Sequence, residues 1–99
     1  MLAVTLAASG SARLARLTLN WVDNSGGTAR FIVERRTGTT GTYRRIGTTG
    51  LGIATYKDSE IVADTTYCYR VKAFTSSEES AYSNEACASS GASRVEEGR

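Results

Sequence analysis

Residues 65–74 read TTYCYRVKAF and show the most regular side-chain alternation in the chain. Their side chains alternate in chemical character with a period of two residues, which is the repeat of a β-strand. One face of such a strand consists of Tyr67, Tyr69, Val71 and Ala73. We expect this face to point inward and the opposite face, which carries Cys68, to point outward.

Short alternating runs of the same kind fill the rest of the chain, separated by clusters of Gly, Asn, Asp and Ser. No window sustains the i, i+3, i+4, i+7 pattern of an amphipathic helix. Strands at this spacing are typical of an all-β sandwich. The sequence predicts seven strands, over residues 2–8, 14–21, 29–36, 43–49, 54–59, 66–74 and 80–88.

The 99 residues are enough for one domain, and they show no internal repeat. We expect the folded domain to cover residues 1–88 and residues 89–99, which are almost entirely polar, to form a tail or linker. The first fifteen residues have the small side chains of a signal peptide. They lack its basic start and continuous apolar middle, so a first strand is the favoured interpretation.

Charge and composition argue against several classes of partner. The net charge is +2, and the basic residues are interleaved with acidic ones rather than gathered in a stripe. This arrangement predicts neither nucleic-acid binding nor a polybasic membrane contact. No apolar stretch is long enough for a membrane span. We expect protein partners, or copies of the same chain, and no small-molecule ligand.

Catalytic chemistry finds no support in the sequence. The chain has no histidine, the commonest general base at neutral pH, and no cofactor motif. We therefore expect no catalytic residue, no cofactor and no metal site. The acidic residues are spread over different loops and strands, where we expect solvated charges or turn caps; they include Asp23, Glu34, Asp58, Glu60 and Asp64.

Four segments together resemble a fibronectin type III domain, most of all its bacterial extracellular versions. They are LTLNWVDNSGG (17–27), FIVERR (31–36), TYKDSEI (55–61) and TTYCYRVKAFTSSEESAYSN (65–84). The resemblance implies a seven-stranded, immunoglobulin-like antiparallel sandwich with sheets A-B-E and C-C′-F-G. The chain departs from the family in having no proline, and its loop 75–80 contains no Arg-Gly-Asp triplet.

The core follows from strand parity and from this resemblance. Trp21 shares its parity with Leu17 and Leu19, which predicts a buried tryptophan. The resemblance implies that Tyr67 is a tyrosine corner, whose hydroxyl bonds a backbone group slightly upstream, and that Asp58 makes a structural hydrogen bond. The expected core residues are Leu17, Leu19, Trp21, Phe31, Val33, Ile61, Tyr67, Tyr69 and Val71.

The two cysteines are predicted to form a cross-strand disulfide. If the last two strands pair so that Phe74 lies near Ala81, then Cys68 lies beside Cys87. Opposed residues in an antiparallel pair are about 4.5–5.5 Å apart, which suits a disulfide. Free thiols, pairing with another chain and metal binding remain alternatives. A disulfide would indicate an oxidising compartment.

These features predict a non-catalytic structural or interaction module that is secreted or displayed on a bacterial cell surface. An alternative is the subunit of a self-assembling extracellular filament, with strand edges and termini as the joints. A carbohydrate-binding accessory domain has weaker support. It would need exposed aromatic residues, for which the candidates are Tyr43, Tyr56, Phe74 and Tyr82.

Overall fold

The computed structural model describes the backbone of residues 6–10 and, with side chains, residues 16–90. Over these residues the regular secondary structure consists of strands only, and no helix long and apolar enough to cross a membrane is present. The strands are β1 (Leu6–Gly10), β2 (Leu17–Trp21), β3 (Arg30–Thr37), β4 (Arg44–Thr48), β5 (Thr55–Asp58), β6 (Thr66–Phe74) and β7 (Ala86–Ser89).

The strands form two antiparallel sheets, one in the order β1-β2-β5 and one in the order β4-β3-β6-β7. This arrangement corresponds to A-B-E packed on C′-C-F-G. The predicted all-β, antiparallel, two-sheet architecture is therefore confirmed. β6 and β3 lie at the centre of the larger sheet, so their inward side chains have neighbours on every side.

The core lies between the sheets and is built from alternate residues of the strands. Tyr69, Val71 and Phe31 are completely buried there. Apolar side chains on the inner faces leave water together, and this burial is the main favourable contribution to folding. The structure places all nine expected core residues in one cluster: Leu17, Leu19, Trp21, Phe31, Val33, Ile61, Tyr67, Tyr69 and Val71.

Tyr56 seals the side of the sandwich where β5 faces β4 of the other sheet. Its hydroxyl donates to the Ile46 carbonyl at 3.1 Å, and its ring lies directly against Gly47. A Cβ atom at Gly47 would meet the tyrosine hydroxyl at 2.6 Å, which is too close. Glycine is required at this point because the ring passes over the bare backbone.

Residues 80–85 run beside β6 without forming a strand, because serine side chains replace regular backbone pairing. Ser80 donates its N–H to the Ala73 carbonyl and accepts the Ala73 N–H on its Oγ, both at 2.8 Å. Ser83 makes the same two bonds to Val71, at 2.7 and 2.9 Å. Each serine thus bonds both the N–H and the carbonyl of one β6 residue, so these groups are satisfied without regular strand pairing.

The predicted last strand over 80–88 is therefore wrong at its start, since β7 begins at Ala86. At its other end β7 continues to Ser89, and Ser90 is buried with its N–H bonded to the Thr65 carbonyl at 2.9 Å. The expected division between a domain over residues 1–88 and a tail over residues 89–99 remains a prediction. Residues 91–99 lie outside the described part.

The predicted register at the end of β6 is also wrong, because Phe74 forms a bridge with Glu79 rather than facing Ala81. Between this bridge and the pair Tyr69–Ala86, β6 advances by five residues and the opposite segment by seven. The two extra residues belong to the serine-bonded segment. They restore the register that the sequence predicts for the cysteines.

The first two predicted strands are described only in part. The predicted strand 2–8 overlaps β1 only from Leu6, and its residues 2–5 lie outside the described part. The predicted strand 14–21 begins at Leu17, with residues 14 and 15 also outside it. Leu6–Gly10 is a strand paired with β2, and for the other residues among the first fifteen the preference for a strand over a signal peptide remains a prediction.

Candidate functional site

Cys68 and Cys87 form a disulfide across β6 and β7, with an S–S distance of 2.05 Å and directly opposed positions in the register. The predicted pairing is confirmed. Cys68 is on the outer face of the sheet, but it is 0% exposed, whereas Cys87 is exposed. Cys68 lies between Cys87 of β7 and Arg36 of β3. The long side chain of Arg36 is therefore a neighbour that can cover the sulfur.

The same outer face carries a run of stacked tyrosines and cations, which we call the tyrosine–arginine ladder: Arg36, Tyr43, Arg70, Tyr82 and Lys72. The Arg70 guanidinium lies over both rings, 4.1 Å from the centroid of Tyr43 and 3.7 Å from that of Tyr82. Arg36 lies 5.0 Å from the centroid of Tyr43, and the Lys72 ammonium 4.7 Å from that of Tyr82. Each ring therefore interacts with two cations.

Carboxylates hold each cation of the ladder in place. Arg36 pairs with Glu85 at 2.6 Å, Arg70 with Glu34 at 2.7 Å, and Lys72 with Glu79 at 2.7 Å. The tyrosine hydroxyls donate to two of the same acids, Tyr43 to Glu85 and Tyr82 to Glu34.

Tyr43 stays protonated and donates its hydroxyl at any ordinary pH. Burial, followed by its hydrogen bond to the Glu85 carboxylate, raises the pKa of Tyr43 to about 12. Since residues 80–85 lack regular pairing, Tyr82 and Glu85 attach this segment to the sheet through their side chains. The tyrosine–arginine ladder thus attaches residues 80–85 to the sheet. Its ring faces and charges interact with one another inside the domain.

Sequence reasoning missed the ladder. The structure does bring together two of the four aromatic residues considered for carbohydrate binding, Tyr43 and Tyr82, but their rings are stacked with cations rather than open. Tyr56 packs against the core, and Phe74 is half-buried at the end of β6. One signal in the sequence pointed to the ladder, namely that Arg70 and Lys72 occupy successive outward positions of β6. The rings that contact them, Tyr43 and Tyr82, belong to other segments, so the sequence did not indicate the contact.

Among residues 16–90, one group of possible metal ligands lies close together, namely Cys68, Glu85 and Cys87. Both sulfurs belong to the disulfide, so neither is available as a thiolate ligand. Glu85 already pairs with Arg36. The group offers no set of ligands for a metal ion while the disulfide is intact.

Asp58 joins the two sheets from inside the domain. It is 3% exposed at the end of β5, and it accepts hydrogen bonds from the Tyr69 hydroxyl at 2.7 Å and from Arg35 Nη1 at 2.9 Å. Burial and the Asp58 carboxylate raise the pKa of Tyr69 well above its ordinary value, so the hydroxyl remains a donor. The predicted structural hydrogen bond of Asp58 is present, and the carboxylate is buried rather than solvated.

The other acidic residues have separate roles. Asp23 caps the turn after β2, and hydrogen bonds from the Ser25 hydroxyl and backbone N–H lower the pKa of its carboxyl. Glu34 belongs to the ladder, while Glu60 and Asp64 are exposed. Asp64 has a positive φ of 56°, a conformation that aspartate adopts more readily than most residues. The structure does not gather these carboxylates into one site.

Tyr67 has the geometry of a tyrosine corner. Its ring is buried in the core, and its hydroxyl accepts the backbone N–H of Val62, five residues upstream, at 3.0 Å. Tyr67→Phe should therefore lower the free energy of unfolding by about 1 kcal/mol, because the Val62 N–H loses its acceptor. Urea unfolding measures the change, with Val62→Ala as the control, because it truncates an exposed side chain and leaves the bond between the Val62 N–H and the Tyr67 hydroxyl in place. Unchanged stability would contradict a role for the hydroxyl.

Breaking the disulfide should lower the free energy of unfolding by about 3 kcal/mol, because the bond closes a loop between residues separated by 19 positions. We expect this loss in the double variant Cys68→Ala, Cys87→Ala. Urea unfolding of the oxidised protein with and without reductant provides the comparison. The alanine variant should not respond to reductant, and equal stability of all four samples would contradict the prediction.

No protein-family model matches the sequence, and a search of curated proteins finds no match. Several solved structures share the fold. An Fn3-like protein from Clostridium thermocellum has a TM-score of 0.67 and 24% identity, over 95% of this chain and 92% of that one. Domains A168–A170 of titin give a TM-score of 0.71 and 20% identity, over 86% of this chain and 30% of theirs.

Pectate lyase PelI from Erwinia chrysanthemi also matches, with a TM-score of 0.72 and 23% identity. The match covers 87% of this chain but only 27% of the lyase, so the likeness concerns one part of that protein. Identities of this size establish the fold and nothing finer. Given its two antiparallel sheets and these structural neighbours, the chain has a fibronectin type III-like fold.

Proposed function

We propose that this domain is a non-catalytic extracellular module that spaces or joins protein units. The observation that carries the proposal is the disulfide between Cys68 and Cys87, which ties the edge strand β7 to the centre of its sheet. A structural disulfide persists in oxidising surroundings and is rare in the cytosol. Domains of this fold typically lack catalytic activity, which agrees with the proposed role.

The tyrosine–arginine ladder supports a structural rather than a catalytic role. Its cations pair with Glu34, Glu79 and Glu85 inside the domain. A catalytic site needs groups that converge on a substrate with unused bonding capacity. On this face the rings and charges are directed at one another, and together with the disulfide they stiffen the four-stranded sheet.

The extracellular placement can be tested by exporting the chain to the periplasm of a bacterial host. We expect complete bond formation, so that no thiol reacts with an alkylating agent under native conditions. Mass spectrometry without reductant measures the added mass. Two alkylated cysteines in the exported, folded protein would contradict the placement.

Two structural roles remain, an isolated spacer and a filament subunit, and solution behaviour distinguishes them. Sedimentation and negative-stain microscopy of the oxidised chain are the measurements. A spacer stays a 10.6 kDa monomer at all practical concentrations. Ordered fibres would contradict the spacer and support the filament subunit. The four edge strands β1, β5, β4 and β7 offer backbone groups for such contacts.

A second candidate is an accessory domain beside a carbohydrate-active enzyme, and the match to part of a pectate lyase favours it. Sugar rings bind by stacking on open aromatic faces. Tyr43 and Tyr82 carry cations over their rings, so this role would require Arg70 to move away. Calorimetric titration with polygalacturonate tests it, and saturable binding that Tyr82→Ala abolishes would establish the candidate over the spacer.

A further inference from the structure

Two adjoining clefts, of about 290 and 350 Å³, open at the end of the sandwich where the turns 22–29 and 75–80 meet. Both are lined by Thr28, Phe74 and Thr75, so the two clefts adjoin at these residues, and we call them together the loop groove. Its middle is therefore marked by an aromatic side chain. The two ends differ in charge.

One end of the loop groove is acidic and the other is basic and apolar. Glu78 and Glu79 line only the first cleft, and Glu79 is already paired with Lys72, so Glu78 is the carboxylate offered to an occupant. Arg30 and Leu51 line only the second cleft. Leu51 is 56% exposed, one of the few large apolar side chains in the open. An occupant that matches this lining has a cation at one end, an apolar residue in the middle and an anion at the other end.

The length of the groove follows from the sheet. Arg30 of β3 pairs with Phe74 of β6, which in turn bridges Glu79. Neighbouring strands are about 4.8 Å apart, so the two charged ends are about 10 Å apart. Three steps of an extended chain, at about 3.3 Å each, cover the same distance.

The chain itself contains a segment of this pattern. Residues 94–97 read Arg-Val-Glu-Glu, with a cation, an apolar residue and two acids in consecutive positions. They follow four residues after Ser90, the last described residue. In an extended conformation, Arg94 would meet the acidic end of the loop groove while Glu97 reaches the basic end.

A groove on the same copy is too far away. Ser90 is bonded to Thr65, beside the start of β6, whereas the loop groove lies at Phe74, where β6 ends. The eight steps from Thr66 to Phe74 cover about 26 Å, but the four residues from Ser90 to Arg94 cover at most about 14 Å. The occupant must come from a second copy.

We propose that residues 94–97 of one copy bind the loop groove of a second copy, giving a head-to-tail chain of domains. The contact joins two different surfaces of the domain. Copies that lie in line can therefore add one after another to an open chain rather than a closed ring. This inference rests on the proposed structural role and names its partner as the same chain. Exposed ion pairs and one valine give a weak joint, with a dissociation constant of about 1 mM.

Peptide titration tests the groove directly. The probe is a synthetic peptide of residues 91–99, added to the ¹⁵N-labelled full chain carrying Arg94→Glu, whose own tail no longer competes. We expect saturable amide shifts at Thr28, Arg30, Phe74 and Leu51. A peptide of the same composition with residues 94–97 reordered should give at least fivefold weaker shifts. Equal shifts from both peptides, or none, would overturn the proposal.

Charge reversal in the full chain tests the joint between copies. Glu78→Arg and Arg94→Glu should each abolish the concentration-dependent slowing of translational diffusion in NMR, at protein concentrations up to about 2 mM. Combining both substitutions in one chain, or mixing the two single variants, should restore it. The controls are Glu60→Arg and Arg99→Glu, which make the same charge changes away from the proposed contact and should leave association unchanged.

Failure of this inference can be told apart from failure of the structural role. Loss of the folded, disulfide-bonded state would contradict the proposed function itself, and circular dichroism with thiol assay detects it. Association or fibres that persist in Arg94→Glu would overturn the head-to-tail joint while leaving the structural role in place. A wild-type chain that shows no association at about 2 mM would overturn the joint as well.

Discussion

Trp21→Ala should lower the free energy of unfolding by about 3–5 kcal/mol. The indole is 7% exposed, and its ring meets that of Phe31 edge-on with 5.3 Å between the centroids. Truncation removes the buried apolar area and leaves a cavity between two sheets that cannot close over it. Because a domain of this size has only about 5–15 kcal/mol of stability, the loss is a large share of the total.

Urea unfolding followed by circular dichroism is the measurement, since the variant has no tryptophan to report by fluorescence. Val22→Ala is the matched control: the neighbouring side chain is 55% exposed, so its truncation should change stability by less than about 0.5 kcal/mol. A loss for Trp21→Ala no larger than that of the control would contradict the core assignment.

Trp21→Phe refines the same test. The indole Nε1 is buried and has no hydrogen-bond partner in the part of the chain that the structure describes. Phenylalanine removes this unsatisfied donor while keeping much of the apolar area. We expect it to cost less than about 2 kcal/mol, clearly less than alanine.

Asp58→Ala should lower the free energy of unfolding by about 3–5 kcal/mol. The carboxylate accepts bonds from Arg35 of β3 and Tyr69 of β6, while it belongs to β5 of the other sheet. Its removal leaves the buried Tyr69 hydroxyl without its acceptor, and the Arg35 guanidinium keeps the Glu60 carbonyl at 3.3 Å but loses its charged partner. An interaction between buried groups is screened little by salt, so the loss should persist at high ionic strength.

The matched control is Glu60→Ala, two positions along the chain, whose exposed side chain carries the same charge. It should change stability by less than about 0.5 kcal/mol. A double-mutant cycle of Asp58→Ala with Tyr69→Phe isolates the hydrogen bond, and we expect the two losses to be non-additive. Additive losses would show that the tyrosine hydroxyl and the carboxylate act independently.

Much of the fold could be predicted because alternation along a strand is a local property. The parity of residues 67–73 decides which side chains meet the core, whatever the rest of the chain does. The same parity, with a two-strand register, brings Cys68 opposite Cys87. The register at the loop, by contrast, depends on Ser80 and Ser83 replacing backbone groups, and a strand pattern carries no signal for such a replacement.

The ladder and the buried Asp58 could not be predicted in the same way. A cation on an outward position is normally solvated, and nothing near Arg70 in the sequence indicates the rings that cover it. Tyr43 and Tyr82 lie 27 and 12 positions away along the chain. Tyr43 reaches Arg70 because β3, which leads into its turn, lies beside β6, and Tyr82 reaches Arg70 because residues 80–85 run along the other side of β6.

The strand class, the inward face and the cysteine pairing could be predicted from the sequence, since each follows from a period of two residues and one pairing of neighbouring strands. The covering of the outer face, the two serines that take the place of a strand and the position of the loop groove depend on tertiary contacts. These features are contacts between segments far apart in the chain, and such contacts form only when both sheets have packed.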